Sequence, residues 1–135
     1  MSDCLFCREY RKKYDHLNNK PLEIILQNNS FWVKFDPNPV SPGHALIVSK
    51  EHVDNISNLI RNEPYDYINI LRQTIELIDR KYHPEGYNLG SNIREAAGQT
   101  IFHLHIHVIP RYFGDVPNPR GGIRNIIPGK GDYKK

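Results

Sequence analysis

The chain has little sulfur and no long apolar run. Cysteine occurs twice in 135 residues, and methionine and tryptophan once each. The N-terminus, MSDCLFCREYRKK, lacks the apolar core of a secretion signal, so a cytoplasmic location is expected. In that compartment Cys4 and Cys7 are not expected to form a structural disulfide. No stretch approaches the roughly 20 apolar residues that a membrane-spanning helix needs, which excludes a helical transmembrane class. Internal repeats and low-complexity tracts are also missing. What remains is an ordinary globular balance, 39% hydrophobic and 24% charged, in a chain long enough for one domain spanning 1–135.

Charge is present but unevenly placed. The formal net charge is +3, yet positions 111–135 hold six basic and two acidic residues, an excess of +4 that leaves the rest at −1. This basic C-terminal segment would attract an anion such as a phosphorylated ligand. Its simpler reading is a solvated tail that keeps the chain soluble.

Hydrophobic period separates the elements. PLEIILQ (21–27) and FWVKF (31–35) read as a hairpin joined through NNS. DPNPVSPG (36–43) holds three prolines and must be a stiff turn. HALIVS (44–49) is a third strand. Asp54 is placed to cap a short helix carrying Ile56, Leu59 and Ile60. A long helix is expected over 63–82, opening at Glu63 with Pro64 in its first turn and Leu71, Ile75, Ile78 and Tyr82 on one face. GYNLGSN (86–92) is a strand, IREAAGQT (93–100) a loop, and GDVPNPRGG (114–122) turn chemistry. Together these predict an α+β fold with a mainly antiparallel sheet of about five strands, one long helix and one short one.

Three of the seven histidines lie in HLHIHVIPR (103–111), separated by single aliphatic residues. On a helix these positions scatter around the axis, whereas on a strand they share a face. Leu104, Ile106 and Val108 then pack inwards, and His103, His105 and His107 stand in a row about 6.6 Å apart, at roughly 3.3 Å of rise per residue. Neighbouring rings of such a row can share a metal ion, so a catalytic zinc on His103 and His105 is one reading. A neutral imidazole attacking phosphorus is another, provided its second nitrogen donates to a fixed acceptor. The spacing alone leaves the two open.

HLHIHVI resembles the signature of the histidine triad (HIT) family, and GQTIFHLHIHVIPRYFGD is similar to the same stretch in its bacterial members and in the fragile histidine triad branch. PVSPGHALIVSKEHV resembles the family's upstream segment, and CLFC the start of its zinc-binding members. The resemblance covers nearly the whole chain. It implies a HIT-like fold, a homodimer, and a nucleotide hydrolase or transferase working at an α-phosphate. Carried over by position, it implies His105 as the nucleophile, His107 as a hydrogen-bonding partner of the phosphate, and His44 as a fourth histidine near the triad. Asn92, Gln99 and Thr100 match positions at the phosphate and leaving group. Asp36 matches the position that binds ribose hydroxyls, and Phe35 and Leu46 match apolar positions flanking the base.

Cys4 and Cys7 form a C-x2-C, by itself half of a zinc site. The zinc-binding members imply the other half, His52 in SKEHV and His103 of the triad. That set is a closed, structural zinc site that leaves His105 free of metal. The departure SKEH, where a proline–lysine start is commoner, leaves the ligand in place.

The segment PRGGIRNIIPGKGDY (119–133) resembles the end of bacterial dinucleoside polyphosphate hydrolases, with Arg120, Arg124 and Lys130 as candidates for outer phosphates. Diadenosine tetraphosphate is accordingly the expected type of substrate. A nucleoside phosphoramidase of the same family, a metal-dependent hydrolase with catalytic zinc, and a nucleotide-binding module without turnover are the competing readings. No aromatic-rich stacking pattern speaks for nucleic acid.

Overall fold

In a computed structural model, residues 4–15, 19–60 and 64–133 are described. The expected helix start, Glu63, and the last two lysines of the basic segment lie outside them. The order is α1 (Leu5–Lys12), β1 (Tyr14–Asp15), β2 (Lys20–Pro21), β3 (Leu26–Gln27), β4 (Phe31–Phe35), β5 (Ala45–Ser49), α2 (Pro64–Tyr82), β6 (Gly86–Gly90) and β7 (His105–Arg111). β1 and β2 form a small ribbon, and the main sheet is antiparallel throughout, in the order β3-β4-β5-β7-β6.

Both faces of the sheet are covered at its centre, which explains why β4 and β5 are apolar without clean alternation. On one face α2 packs on Phe31, Val33, Ala45, Ile47, Leu104, Ile106 and Val108. Its buried line is Ile70, Thr74 and Ile78; of the expected face Ile78 is in the core, and Leu71, Ile75 and Tyr82 pack against its margin. Thr74 satisfies its hydroxyl internally on the carbonyl of Ile70 at 2.6 Å. On the other face α1 lays Phe6 against Trp32, Leu46 and Val48.

α1 is the short α-helix of the fold, and it is not where the sequence suggested one. The segment after Asp54 makes only a 3-10 turn, Ile56–Asn58, and its cap is Asn55, whose side chain accepts from the Ser57 N–H. Asn55 is buried while Asp54 is exposed, so the amide reaches the turn and the carboxylate does not. α1 is capped by Cys4, whose sulfur accepts from the Cys7 N–H, and carries Arg11 and Lys12 at the end of its dipole that favours cations. A buried ion pair fastens it to the sheet, Lys34 Nζ to Glu9 Oε1 at 2.8 Å, with exposures of only 2% and 0%.

The proline-rich turn 36–43 ends in Gly43 at φ +88, backed onto α2 so closely that a Cβ would meet the Tyr82 ring at 2.8 Å. Only glycine combines that conformation with that approach. The turn thereby delivers His44 to the start of β5.

Candidate functional site

The face of the sheet that α1 only partly covers carries the titratable groups. Register puts Trp32 opposite Val48 and Lys34 opposite Leu46, then Val48 opposite His105 and Leu46 opposite His107, and finally His107 opposite Gly90. Alternation along each strand adds Asp36 and His44 to the same face. His103 lies just before β7 and His105 and His107 within it, while Leu104, Ile106 and Val108 fill the α2-side core. The row of rings read from the sequence is therefore present.

His105 is 8% exposed. Its Nδ1 lies 2.7 Å from the carbonyl of His103, and a carbonyl can only accept, so Nδ1 carries the proton and donates it there. The lone pair is left on Nε2. Burial pushes the ring below its ordinary value, keeping it neutral at neutral pH. A neutral ring, one nitrogen pinned and the other bare, is the form a nucleophilic histidine needs.

His44 and His107 form a second unit. The Val40 N–H donates to His44 Nδ1 at 3.2 Å, which places the His44 proton on Nε2. That proton points at His107 Nδ1, 2.9 Å away, with the Asp36 carboxylate farther off at 3.6 Å. His107 in turn must carry its own proton on Nε2, as a donor. Burial lowers the titration of both rings, and the charges of His105 and His44 help to bring His107 down to about 4.

Among the described residues two groups of ligating side chains converge: Cys4, Cys7, His52 and His103, and Asp36, His44 and His107. Their chemistry separates them. In the second, Val40 occupies His44 Nδ1, so Nε2 holds a proton and is no ligand; the group is a hydrogen-bond chain. In the first, His103 Nε2 donates to the Ser49 carbonyl at 2.7 Å, so its Nδ1 lone pair faces the cluster. That nitrogen lies 3.2 Å from Cys4 Sγ, 3.5 Å from Cys7 Sγ and 3.2 Å from His52 Nδ1, and Cys7 Sγ is 3.1 Å from His52 Nδ1. A tetrahedron with metal–nitrogen bonds of 2.0–2.1 Å and metal–sulfur bonds of 2.3 Å has edges of about 3.3–3.8 Å. The four donors fit such a cation. His105, with Nδ1 on a carbonyl, is not part of this group.

The other expected contacts divide. Leu46 faces the site beside His107. Asn92 lies two residues beyond Gly90, the last residue of β6 paired with β7, and Ser91 beside it donates its hydroxyl to the His105 carbonyl at 2.7 Å. Thr100 is exposed on the same loop. Gln99 departs from its expected place at the phosphate: it is 4% exposed, accepts from the Arg94 N–H at 2.7 Å and donates to the carbonyls of Asp54 and Ile101. Its amide is consumed in shaping the loop. Phe35 also departs. It shares a strand face with Phe31 and Val33, so alternation turns it to the α2 side, edge-on to Tyr82 at 5.9 Å, and away from any base near His107.

Three contributors were not foreseen: the Val40 amide, the Ser49 carbonyl, and Phe6, whose ring touches both His103 and His105. The position of Phe6 between the two cysteines of CLFC was the available signal. A hollow of about 980 Å³ between Phe31, Leu59, Tyr67 and Ile68 is lined by no histidine or cysteine and lies on the α2 side.

The basic segment is a folded loop. Arg111 clamps Asp115 through two bonds of 2.7 and 2.8 Å and reaches Asn88 with a third at 2.6 Å. Beyond it Arg120 and Asn118 both hold Asp132, and Gly121 lies so near Gly131 that a Cβ would sit 1.9 Å from its carbonyl oxygen. The 3-10 turn Gly122–Ile126 brings the tip of Ile123 to 4.0 Å from where a Gly90 Cβ would be, next to His107. Of the three expected phosphate holders, Arg120 is paired to Asp132, Arg124 lies over the Tyr133 ring at 5.0 Å, and Lys130 is exposed.

Comparison with known proteins yields a consistent set. A family model described as the HIT domain matches residues 18–114. An uncharacterised HIT-like protein of Methanocaldococcus jannaschii is 30% identical over 124 residues, covering 91% of each chain. AP-4-A phosphorylase of Mycobacterium tuberculosis is 33% identical over 78 residues, 57% of this chain and 40% of that one. Among solved structures, a zinc-bound histidine triad family protein from Mycobacterium smegmatis superposes with a TM-score of 0.64 at 29% identity, covering 84% of this chain and 78% of that one.

Proposed function

Because the chain belongs to the HIT family, we propose that it is a nucleotide hydrolase or nucleotidyl transferase that cleaves at an α-phosphate through a covalent bond to His105, with dinucleoside polyphosphates such as diadenosine tetraphosphate as substrate. The observation that carries this reading is the His105 ring, neutral, pinned at Nδ1 and bare at Nε2. In the first step the Nε2 lone pair forms the N–P bond as the P–O bond to the leaving group breaks, and that electron pair leaves on oxygen. The ring becomes positive as it bonds, and the His103 carbonyl at Nδ1–H is placed to take up that charge. His107 Nε2–H is the donor for a phosphate oxygen, oriented through His44. Water or another hydroxyl acceptor then attacks phosphorus and gives up a proton to solvent, and the N–P bond breaks with its electron pair returning to Nε2, so that the neutral ring is restored.

The partial likeness to AP-4-A phosphorylase supports a polyphosphate over a phosphoramidate as substrate, and turnover of the two side by side ranks them. Zinc is the cation proposed for Cys4, Cys7, His52 and His103; when bound it supplies a closed anchor with no open coordination position. Intact mass spectrometry after a non-acid quench tests the mechanism. An adduct of one nucleoside monophosphate on the wild type and none on His105→Ala is expected, and its absence from the wild type refutes covalent catalysis.

A homodimer and cytoplasmic residence complete the proposal. Tyr65 and Ile68 stand exposed on α2, and β6 is a sheet edge, which are the surfaces a second copy would cover. Sedimentation equilibrium giving only monomer would remove the dimer.

A further inference from the structure

In Cys4-Leu5-Phe6-Cys7 an aromatic ring is set between two cysteines of the metal cluster, and it is 2% exposed. The Phe6 ring meets two imidazoles edge-on at once: His103 with centroids 5.8 Å apart at 79°, and His105 with centroids 5.0 Å apart at 63°. Trp32 backs it at 6.3 Å. His103 joins the same two groups from the other side, because its Nδ1 faces the cluster while its carbonyl holds Nδ1–H of His105.

Three neighbours restrain the His105 ring beyond its own backbone: the His103 carbonyl at Nδ1–H, the Phe6 ring, and the His107 ring with centroids 5.3 Å apart at 65°. The first two trace back to the cluster. The torsion that turns an imidazole about Cβ–Cγ is broad and roughly two-fold, so a single hydrogen bond constrains it loosely. A ring wedged against its face narrows the range. Where Nε2 points is set by that torsion.

We propose that Phe6 is a positioning residue for His105, held in place by the Cys4–Cys7–His52–His103 cluster, so that occupancy of the cluster governs the direction of Nε2. The inference rests on His105 as nucleophile, but the ring's state can be read without turnover. It differs from a purely structural metal in its consequence: a folded, metal-stripped chain has an intact His105 that is poorly aimed. The buried Glu9–Lys34 pair makes this testable, since it ties α1 to the sheet independently of the metal.

The test uses the full zinc-loaded chain, Phe6→Leu and Phe6→Met, and wild type stripped by a chelator, each checked for helix content and zinc stoichiometry. Nitrogen-15 NMR of the histidines reports the His105 tautomer and ring exchange. Wild type is expected to show a single protonated Nδ1, and both variants, with zinc retained, a broadened or mixed His105 signal. The chelated protein should match the variants. With diadenosine tetraphosphate as probe, kcat in the variants falls about tenfold with KM within about twofold, as expected for a misdirected rather than missing nucleophile. A His105 signal unchanged in either variant or in the chelated chain overturns the proposal. If one variant fails to fold, the other and the chelated wild type still decide it. A wild type that shows the single tautomer but forms no nucleotide adduct defeats the nucleophile reading while leaving the ring coupling standing.

Discussion

His107 titrates far from the value of a free ring, and the direction has a consequence for stability. Burial, with the His105 and His44 charges, lowers it from 6.5 to about 4. Between those values the unfolded ring binds a proton that the folded one refuses, so its contribution is whole above pH 6.5 and is lost as pH falls towards 4. Urea midpoints measured from pH 7 to pH 4 should decline over that window, and the decline should be shallower in His107→Gln. Gln99→Ala should destabilise by about 1–3 kcal/mol, because the groups around three hydrogen bonds lose their partner in a buried place. Chemical denaturation measures it. The shared face of the triad rings was legible from alternation alone, whereas Leu46 was named only through the family resemblance. Alternation puts Phe35 with Phe31 and Val33 on the α2 side, a placement that likeness to a family position does not carry. The loop hydrogen bonds of Gln99 were not legible, because a polar side chain looks the same in sequence whether it faces a ligand or the loop.

α1 shows how an element escapes pattern reading. LFCREYRK offers one deeply buried apolar residue, Phe6, and its other buried position is Glu9. A carboxylate there reads as a solvated face until Lys34, from the middle of β4, meets it at 2.8 Å. Removing one partner leaves a buried charge, so Glu9→Ala is expected to cost about 3–5 kcal/mol, whereas Glu9→Leu with Lys34→Met should be close to neutral. Thermal unfolding of the single and double variants separates the two. The long helix and the strands were legible because their periods are carried by many residues. The short helix after Asp54 was not, since choosing between adjacent Asp54 and Asn55 as cap depends on which side chain the fold turns inwards. Gly43 belongs to this scale as well: Gly43→Ala forces a left-handed alanine against Tyr82 and should lower stability and displace His44 together.

Across the whole molecule the sheet divides labour between its faces. The α2 side is a conventional apolar core; the other side collects Asp36, His44 and the triad between α1 and the C-terminal loop. One-sided chemistry of this kind was readable in HLHIHVI, while the loop's return onto β6 was not, because it rests on Arg111, Asp115 and Asn88 meeting across the fold. A metal that binds only the folded chain stabilises it by about 2.7 kcal/mol at a hundred times its Kd. Chelation or Cys4→Ser is therefore expected to lower the unfolding temperature by about 10 °C, read by calorimetry. The sulfur of Cys4 has two duties, capping α1 through the Cys7 N–H at 3.4 Å and facing the cluster. Eight residues are too few to stay helical unaided. Loading the ion thus tightens the first turn of a helix that the Glu9–Lys34 pair keeps docked, and trypsin should read the difference: cleavage after Arg8, Arg11 and Lys12 is faster in the stripped chain and slows once the ion is restored.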